Sequence, residues 1–227
     1  MSGNTGLCIE SYLKRFPLVA ILRGVQPDEV EGIGAALVEA GFAILEVPLN
    51  SPDPLSSIER LARRFPETLI GAGTVMTPQA VREVAQAGGK LILMPHSDGE
   101  VVRAARAAGL LSMPGVATPT EAFAALANGA NSLKLFPAEQ LGGAAVVKAW
   151  RAVVPRAVPM LPVGGITAEN MGPYLAAGAS GFGLGTSLYR PGMTAAEVAV
   201  RAAAFKEALA RPTGRRLSTS PPLRRRQ

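Results

Sequence analysis

Two charged residues interrupt runs that are otherwise apolar. Lys134 sits in Ser132-Leu133-Lys134-Leu135-Phe136-Pro137, and Glu46 in Ile44-Leu45-Glu46-Val47-Pro48-Leu49. A run of this length, stopped by proline, is long enough for a buried strand and too short for a typical helix. Burial disfavours the charged form of a lysine, so its pKa falls from about 10.4 toward neutrality, by up to ~3–5 units in extreme cases. A neutral amine is a nucleophile toward ketones. A buried carboxylate needs a partner or a raised pKa, and the second suits a general acid or base. Two plainer readings stand beside these: Lys134 snorkels from a strand end with its ammonium in water, or it forms with Glu46 a buried ion pair of purely structural use.

The elements that must position these residues repeat one pattern. A short β-rich apolar run is followed by a polar, Ala-rich helical stretch and then glycine, eight times over. The apolar runs are 19–23, 44–49, 69–74, 91–95, 110–114, 132–137, 160–163 and 181–185, with starts about 20–28 residues apart, the length a parallel strand–helix crossover needs. Helix starts are marked by Gln26-Pro27-Asp28-Glu29, Thr77-Pro78 and Thr118-Pro119. Helix ends are marked by Gly41, Gly88, Gly109, Gly129 and Gly178. Eight such units predict an α/β fold, a (β/α)8 TIM barrel rather than an open sheet. An extra N-terminal helix near 7–16 is predicted to plug its bottom. The barrel domain is expected to span 1–210.

Composition narrows the function classes. The net charge of +6 lies in the segment 211–227, which holds six arginines and no acid; the remainder is formally neutral. With its Pro, Ser and Thr content this tail is expected to be disordered and to take no part in the chemistry. A nucleic-acid or membrane-surface role would rest on Arg224-Arg225-Arg226 alone, so neither partner is expected. No apolar run reaches the ~18 residues of a spanning helix, and the first residues lack the regions of a secretory signal, which predicts a cytoplasmic protein. Cys8 and His96 are the only cysteine and histidine. They leave metal catalysis and histidine triads without their usual ligands and bases, so no metal or other cofactor is expected, and His96 reads as a surface residue in a turn.

In a barrel the active site lies at the C-terminal strand ends. The residues there are Arg23, Glu46 with Asn50, Thr74, Pro95, Lys134 with Phe136, Val163-Gly164-Gly165 and Gly185-Thr186-Ser187. Arg23 could be a plain surface cation, Thr74 the cap of the following helix and Phe136 simply core. The glycines after the last two strands suggest a phosphate held by bare backbone N–H groups, with the hydroxyls of Thr186 and Ser187 as further donors.

These residues resemble the bacterial 2-keto-3-deoxy-6-phosphosugar aldolases over about 18–189. The resemblance is carried by Ala20-Ile21-Leu22-Arg23-Gly24, Glu46-Val47-Pro48-Leu49-Asn50-Ser51-Pro52, Ile70-Gly71-Ala72-Gly73-Thr74-Val75, Leu133-Lys134-Leu135-Phe136-Pro137 and Val163-Gly164-Gly165. It implies a homotrimeric, cofactor-free class I aldolase that cleaves a phosphorylated keto-deoxy sugar acid to pyruvate and glyceraldehyde 3-phosphate. It further implies that Lys134 forms the Schiff base and Glu46 is the general acid/base. Arg23 and Thr74 would contact the pyruvyl carboxylate end, and Gly164, Gly165, Gly185 and Thr186 the phosphate. The gluconate-type members have arginine where this chain has Asn50 and threonine where it has Val163. Both departures resemble the galactonate-type branch; Val163 cannot hydrogen-bond a substrate hydroxyl as threonine could. A gluconate-type or dual-specificity aldolase, or a phosphosugar isomerase or epimerase on the same barrel, are the alternative expectations.

Overall fold

Residues buried on both faces of a parallel strand must be apolar throughout, and the short apolar runs become strands of that kind. A computed structural model describes residues 7–211; apart from Arg211, the arginine-rich tail lies outside the described residues. The strands are β1 (Leu18–Ile21), β2 (Ile44–Pro48), β3 (Leu69–Gly73), β4 (Leu91–Leu93), β5 (Leu111–Met113), β6 (Gly115–Val116), β7 (Leu133–Leu135), β8 (Met160–Pro162) and β9 (Phe182–Leu184). All are buried, and every pairing between them is parallel.

They form a curled six-stranded sheet in the order β5-β4-β3-β2-β1-β9 and a three-stranded sheet in the order β6-β7-β8. The expected fifth run, 110–114, holds β5 alone, and a further short strand, β6, follows just beyond its end. Pro114 has no N–H to donate and separates them, while its carbonyl accepts the Lys134 N–H at 2.9 Å. At the other end a single parallel bridge, Val163–Gly183, joins the residue after β8 to β9.

Between the strands run α1 (Ile9–Arg15), α2 (Val30–Ala40), α3 (Pro54–Arg64), α4 (Pro78–Gln86), α5 (Gly99–Ala107), α6 (Pro119–Ala127), α7 (Ala144–Trp150), α8 (Met171–Ala177) and α9 (Ala195–Ala210). None is long and apolar enough to cross a membrane. Thr77 caps α4, and Thr118 caps α6 in a reciprocal box with Glu121, each followed by proline as the sequence predicts. Gly41 and Gly178 end α2 and α8 in left-handed conformation. One expected start moves: α2 begins at Val30, not in the stretch 26–29. There the Glu29 carboxylate turns back to accept the Gln26 N–H at 3.0 Å and the Tyr189 hydroxyl at 2.8 Å.

Two apolar layers result. The larger fills the space between strands and helices. The smaller lies inside the curled wall, where Ile9 and Leu13 of α1 pack against Val19, Ile44, Leu69, Leu91, Leu93, Leu111, Met113 and Leu161. The N-terminal helix therefore closes the bottom, as predicted. Side chains alternate along a strand, so Glu46, two residues beyond inward-facing Ile44, also faces inward. Leu133 and Leu135 belong to the outer layer, and Lys134 between them points into the same interior, in register with Leu161.

Since Ile9 is 1% exposed, Ile9→Ala should cost about 2–5 kcal/mol. Urea unfolding should show this as a lower midpoint with an unchanged slope.

Candidate active site

Above the plug, at the C-terminal strand ends, opens a cavity of about 400 Å³. Of the residues expected there, Arg23, Thr74, Pro95, Lys134, Phe136, Val163, Gly164, Gly165, Gly185, Thr186 and Ser187 line it. Glu46 and Asn50 do not form its surface: Glu46 lies beneath the floor, 1% exposed, and Asn50 reaches the site through Arg23.

Lys134 is 6% exposed, with its Nζ 4.7 Å from the centre of the Phe136 ring. Burial pushes its pKa down; the Glu46 charge works against that shift and the Arg23 charge adds to it. Burial pushes the Glu46 carboxyl up to about 7, against the pull of Lys134 and Arg23. The one salt bridge among the described residues joins Arg60 and Glu31, so Lys134 and Glu46 are not in ion-pair contact. Glu46 Oε2 is buried without a hydrogen-bond partner. The space for this oxygen is made by Gly73, where an added Cβ would lie 1.7 Å from it. The snorkelling and structural ion-pair readings are therefore not the arrangement observed.

One end of the cavity is organised by Arg23, just after β1. Its Nη1 donates to Asn50 Oδ1 and its Nη2 to Thr74 Oγ1 at 3.4 Å, tying together the ends of β1, β2 and β3. Thr74 adopts φ +57°, a left-handed conformation that is costly for a β-branched residue and concentrates at functional sites. It does not cap α4; the Thr77 hydroxyl accepts the Ala80 N–H instead, at 3.1 Å.

The other end is made of backbone. Gly164 and Gly165 have φ +98° and +79°, which side-chain-bearing residues rarely adopt. Their loop is tied to the segment after β7. Glu139 N–H donates to the Gly164 carbonyl at 3.3 Å, and Ala138 N–H to the Val163 carbonyl at 2.9 Å. The Glu139 carboxylate accepts from the Tyr174 hydroxyl and from Asn170 Nδ2, which also donates to the Gly165 carbonyl at 2.8 Å. After β9, Gly185-Thr186-Ser187 borders the same end.

Ile21, Ile166, Thr167, Gly183 and Arg190, not among the residues expected from the sequence, also line the cavity. Ile21 and Gly183 follow from strand alternation, whereas Arg190 lies beyond the last glycine motif and carries no local signal. His96, expected at the surface, is half-buried with its Nδ1 shielded and unpartnered. A depressed amine facing a raised carboxyl, between a cation–hydroxyl end and a bare-backbone end, can form and break bonds to a carbonyl carbon in a ligand anionic at both ends.

Residues 9–209 match the family model described as KDPG and KHG aldolase. The probable 2-dehydro-3-deoxy-6-phosphogalactonate aldolase of Rhizobium meliloti (strain 1021) is 50% identical over 189 residues, 83% of this chain and 89% of that protein. The 2-dehydro-3-deoxy-6-phosphogalactonate aldolase of Escherichia coli (strain K12) is 44% identical over 195 residues, 86% of this chain and 95% of that one. The solved structure of native KDPGal superposes with a TM-score of 0.84 at 43% identity, covering 86% of this chain and 95% of its own.

At neutral pH Lys134 should be carbamylated by cyanate faster than the other lysines, as peptide mass mapping would show. Its rate should level off at a pH below the ordinary lysine value of about 10.4, since burial lowers the pKa. Glu46→Gln removes the negative charge that raises this pKa and should move the plateau to still lower pH.

Proposed function

Since the chain belongs to the KDPG and KHG aldolase family, we propose that it is a class I aldolase. It reversibly cleaves 2-dehydro-3-deoxy-6-phosphogalactonate to pyruvate and D-glyceraldehyde 3-phosphate, in galactonate catabolism. The observation that carries this reading is the buried amine of Lys134 beside the raised carboxyl of Glu46. The galactonate epimer is favoured by the relatives at 44% and 50% identity that carry that substrate in their names, together with Asn50 and Val163.

Neutral Lys134 attacks the C2 ketone, and loss of water from the carbinolamine gives a protonated imine, which draws electrons from the neighbouring carbons. Glu46, directly or through one water, takes the C4 hydroxyl proton as the C3–C4 bond breaks. Those bonding electrons pass into the enamine and glyceraldehyde 3-phosphate leaves. The enamine is then protonated at C3, and water releases pyruvate and the amine. The iminium is the electron sink, so the chemistry calls for no metal or organic cofactor. Arg23 and Thr74 hold the substrate carboxylate. Pro95 and Phe136 form the walls beside the amine. Val163 presents a methyl surface where a threonine would offer a hydroxyl. Gly164, Gly165, Gly185, Thr186 and Ser187 receive the phosphate. Binding energy from that end orients the reacting carbons, so removing the phosphate lowers kcat as well as affinity.

We also read the two sheets as one closed (β/α)8 barrel, with β5 and β6 as halves of its fifth strand. The single residue between them and the Val163–Gly183 bridge support this. In this reading 1–210 is one catalytic domain and 211–227 takes no part in the chemistry. The charge of the phosphorylated substrate and product holds them inside the cell, and we place the enzyme in the cytoplasm. The homotrimer rests on the resemblance; Met76 and Phe123, 48% and 46% exposed, are apolar surface available to such an assembly.

Borohydride reduction with pyruvate should leave one adduct on the wild type and none on Lys134→Ala, read by intact mass. A trapped wild type with no turnover of either epimeric sugar acid would sink the substrate assignment. An untrapped wild type that interconverts phosphosugars would favour the isomerase alternative. With Glu46 at about 7, its basic form is lost as pH falls through that value, so kcat should decline on the acid side of neutrality. Glu46→Gln should lower kcat by about 10²–10⁴-fold.

Val163→Thr should shift the ratio of kcat/KM values toward the gluconate epimer by about tenfold, the effect of one uncharged hydrogen bond. Steady-state assays on both epimers would measure it.

A further inference from the structure

Beyond the glycines, the phosphate end of the cavity contains one cation that the reaction scheme leaves unused. Three basic side chains line the cavity: Arg23, Lys134 and Arg190. Arg23 is spread between Asn50 and Thr74, and Lys134 is the amine on the floor. Arg190 stands with Gly185-Thr186-Ser187. Its Nε donates to the Thr186 carbonyl at 3.0 Å, and among the described residues neither Nη nitrogen has a hydrogen-bond partner.

Its backbone is fixed on both sides. Tyr189 is 2% exposed, and its hydroxyl donates to Glu29 at 2.8 Å. The N–H groups of Leu188 and Tyr189 both donate to the Gly185 carbonyl. On the other side Pro191 packs so closely on Gly24 that a Cβ there would meet its ring at 2.7 Å. An exposed arginine is thus mounted on a rigid turn beside neutral backbone donors, with its two-nitrogen fork free. Planar guanidinium forks match phosphate oxygens bidentately, which neutral N–H groups and hydroxyls cannot do.

We propose that Arg190 is a specificity-determining residue that binds the substrate phosphate through its free guanidinium nitrogens and selects phosphorylated over unphosphorylated sugar acids. The proposal rests on the aldolase reading above. Arg201 provides the internal control: its Nη1 donates to the same Thr186 carbonyl at 3.1 Å, but it does not line the cavity.

Calorimetric titration with glycerol 3-phosphate, on the wild type, Arg190→Gln, Arg190→Lys and Arg201→Gln, decides the matter. Loss of a charge-assisted pair predicts about ten- to hundredfold weaker binding in Arg190→Gln, partial recovery in Arg190→Lys, and a change of about threefold or less in Arg201→Gln. The preference in kcat/KM for phosphorylated substrate should fall in Arg190→Gln by a similar factor, and by more than any change in borohydride-trapped pyruvate adduct. Binding by Arg190→Gln within about twofold of the wild type overturns the proposal. Equal losses in Arg190→Gln and Arg201→Gln overturn it too, since both arginines would then only hold the Thr186 carbonyl. The pyruvate adduct on the wild type tests the aldolase reading by itself, because trapping involves no phosphate.

Discussion

Holding Lys134 and Glu46 out of water costs free energy, and the rest of the chain is arranged to supply it and to limit it. A buried ion carries a penalty of several kcal/mol even after relaxation. Here the penalty is limited by chemistry: the carboxyl is pushed up to about 7, so part of its population is neutral near that pH, and the amine is pushed down by the same burial. The supply comes from apolar burial. Strands with no exposed face surround the pair, and the plug helix seals the interior from below with Ile9 and Leu13. A wet floor would restore an ordinary lysine and an ordinary glutamate. Reactivity and core stability therefore rest on the same excluded water.

The two ends of the cavity solve different problems by different means. At the Arg23 end, side chains from three successive strand ends brace one another, and Thr74 stays in a costly backbone conformation because hydrogen bonding and packing hold it there. At the Gly164–Gly165 end, backbone itself faces the cavity. Gly73 belongs to neither end, yet the floor depends on it, since any larger residue would occupy the place of the Glu46 carboxylate.

Much of this was legible in the sequence because the informative features are local. A charge inside an apolar run marks Lys134 and Glu46 whatever surrounds them. Thr-Pro pairs and terminal glycines mark helix boundaries through backbone geometry that belongs to those residues alone. What stayed hidden depends on partners distant in the chain. Just before α2 the Glu29 carboxylate is engaged by Tyr189 from across the fold, and β5 and β6 are split by a proline that looked like a strand end. Gly73 looked like part of a motif, when its role is to be small opposite Glu46. Arg190 gave no local sign, because its position comes from a turn anchored on Glu29 and Gly24.

The hydrogen bonds that join Glu139 to the Gly164–Gly165 loop make the strand bearing the amine and that glycine loop one mechanical unit. In the proposed reaction the span from amine to phosphate is then a fixed length, and the cavity acts as a gauge. It measures how many carbons separate a ketone from a phosphate, and a chain one carbon too short or too long fails at one end whenever it is seated at the other.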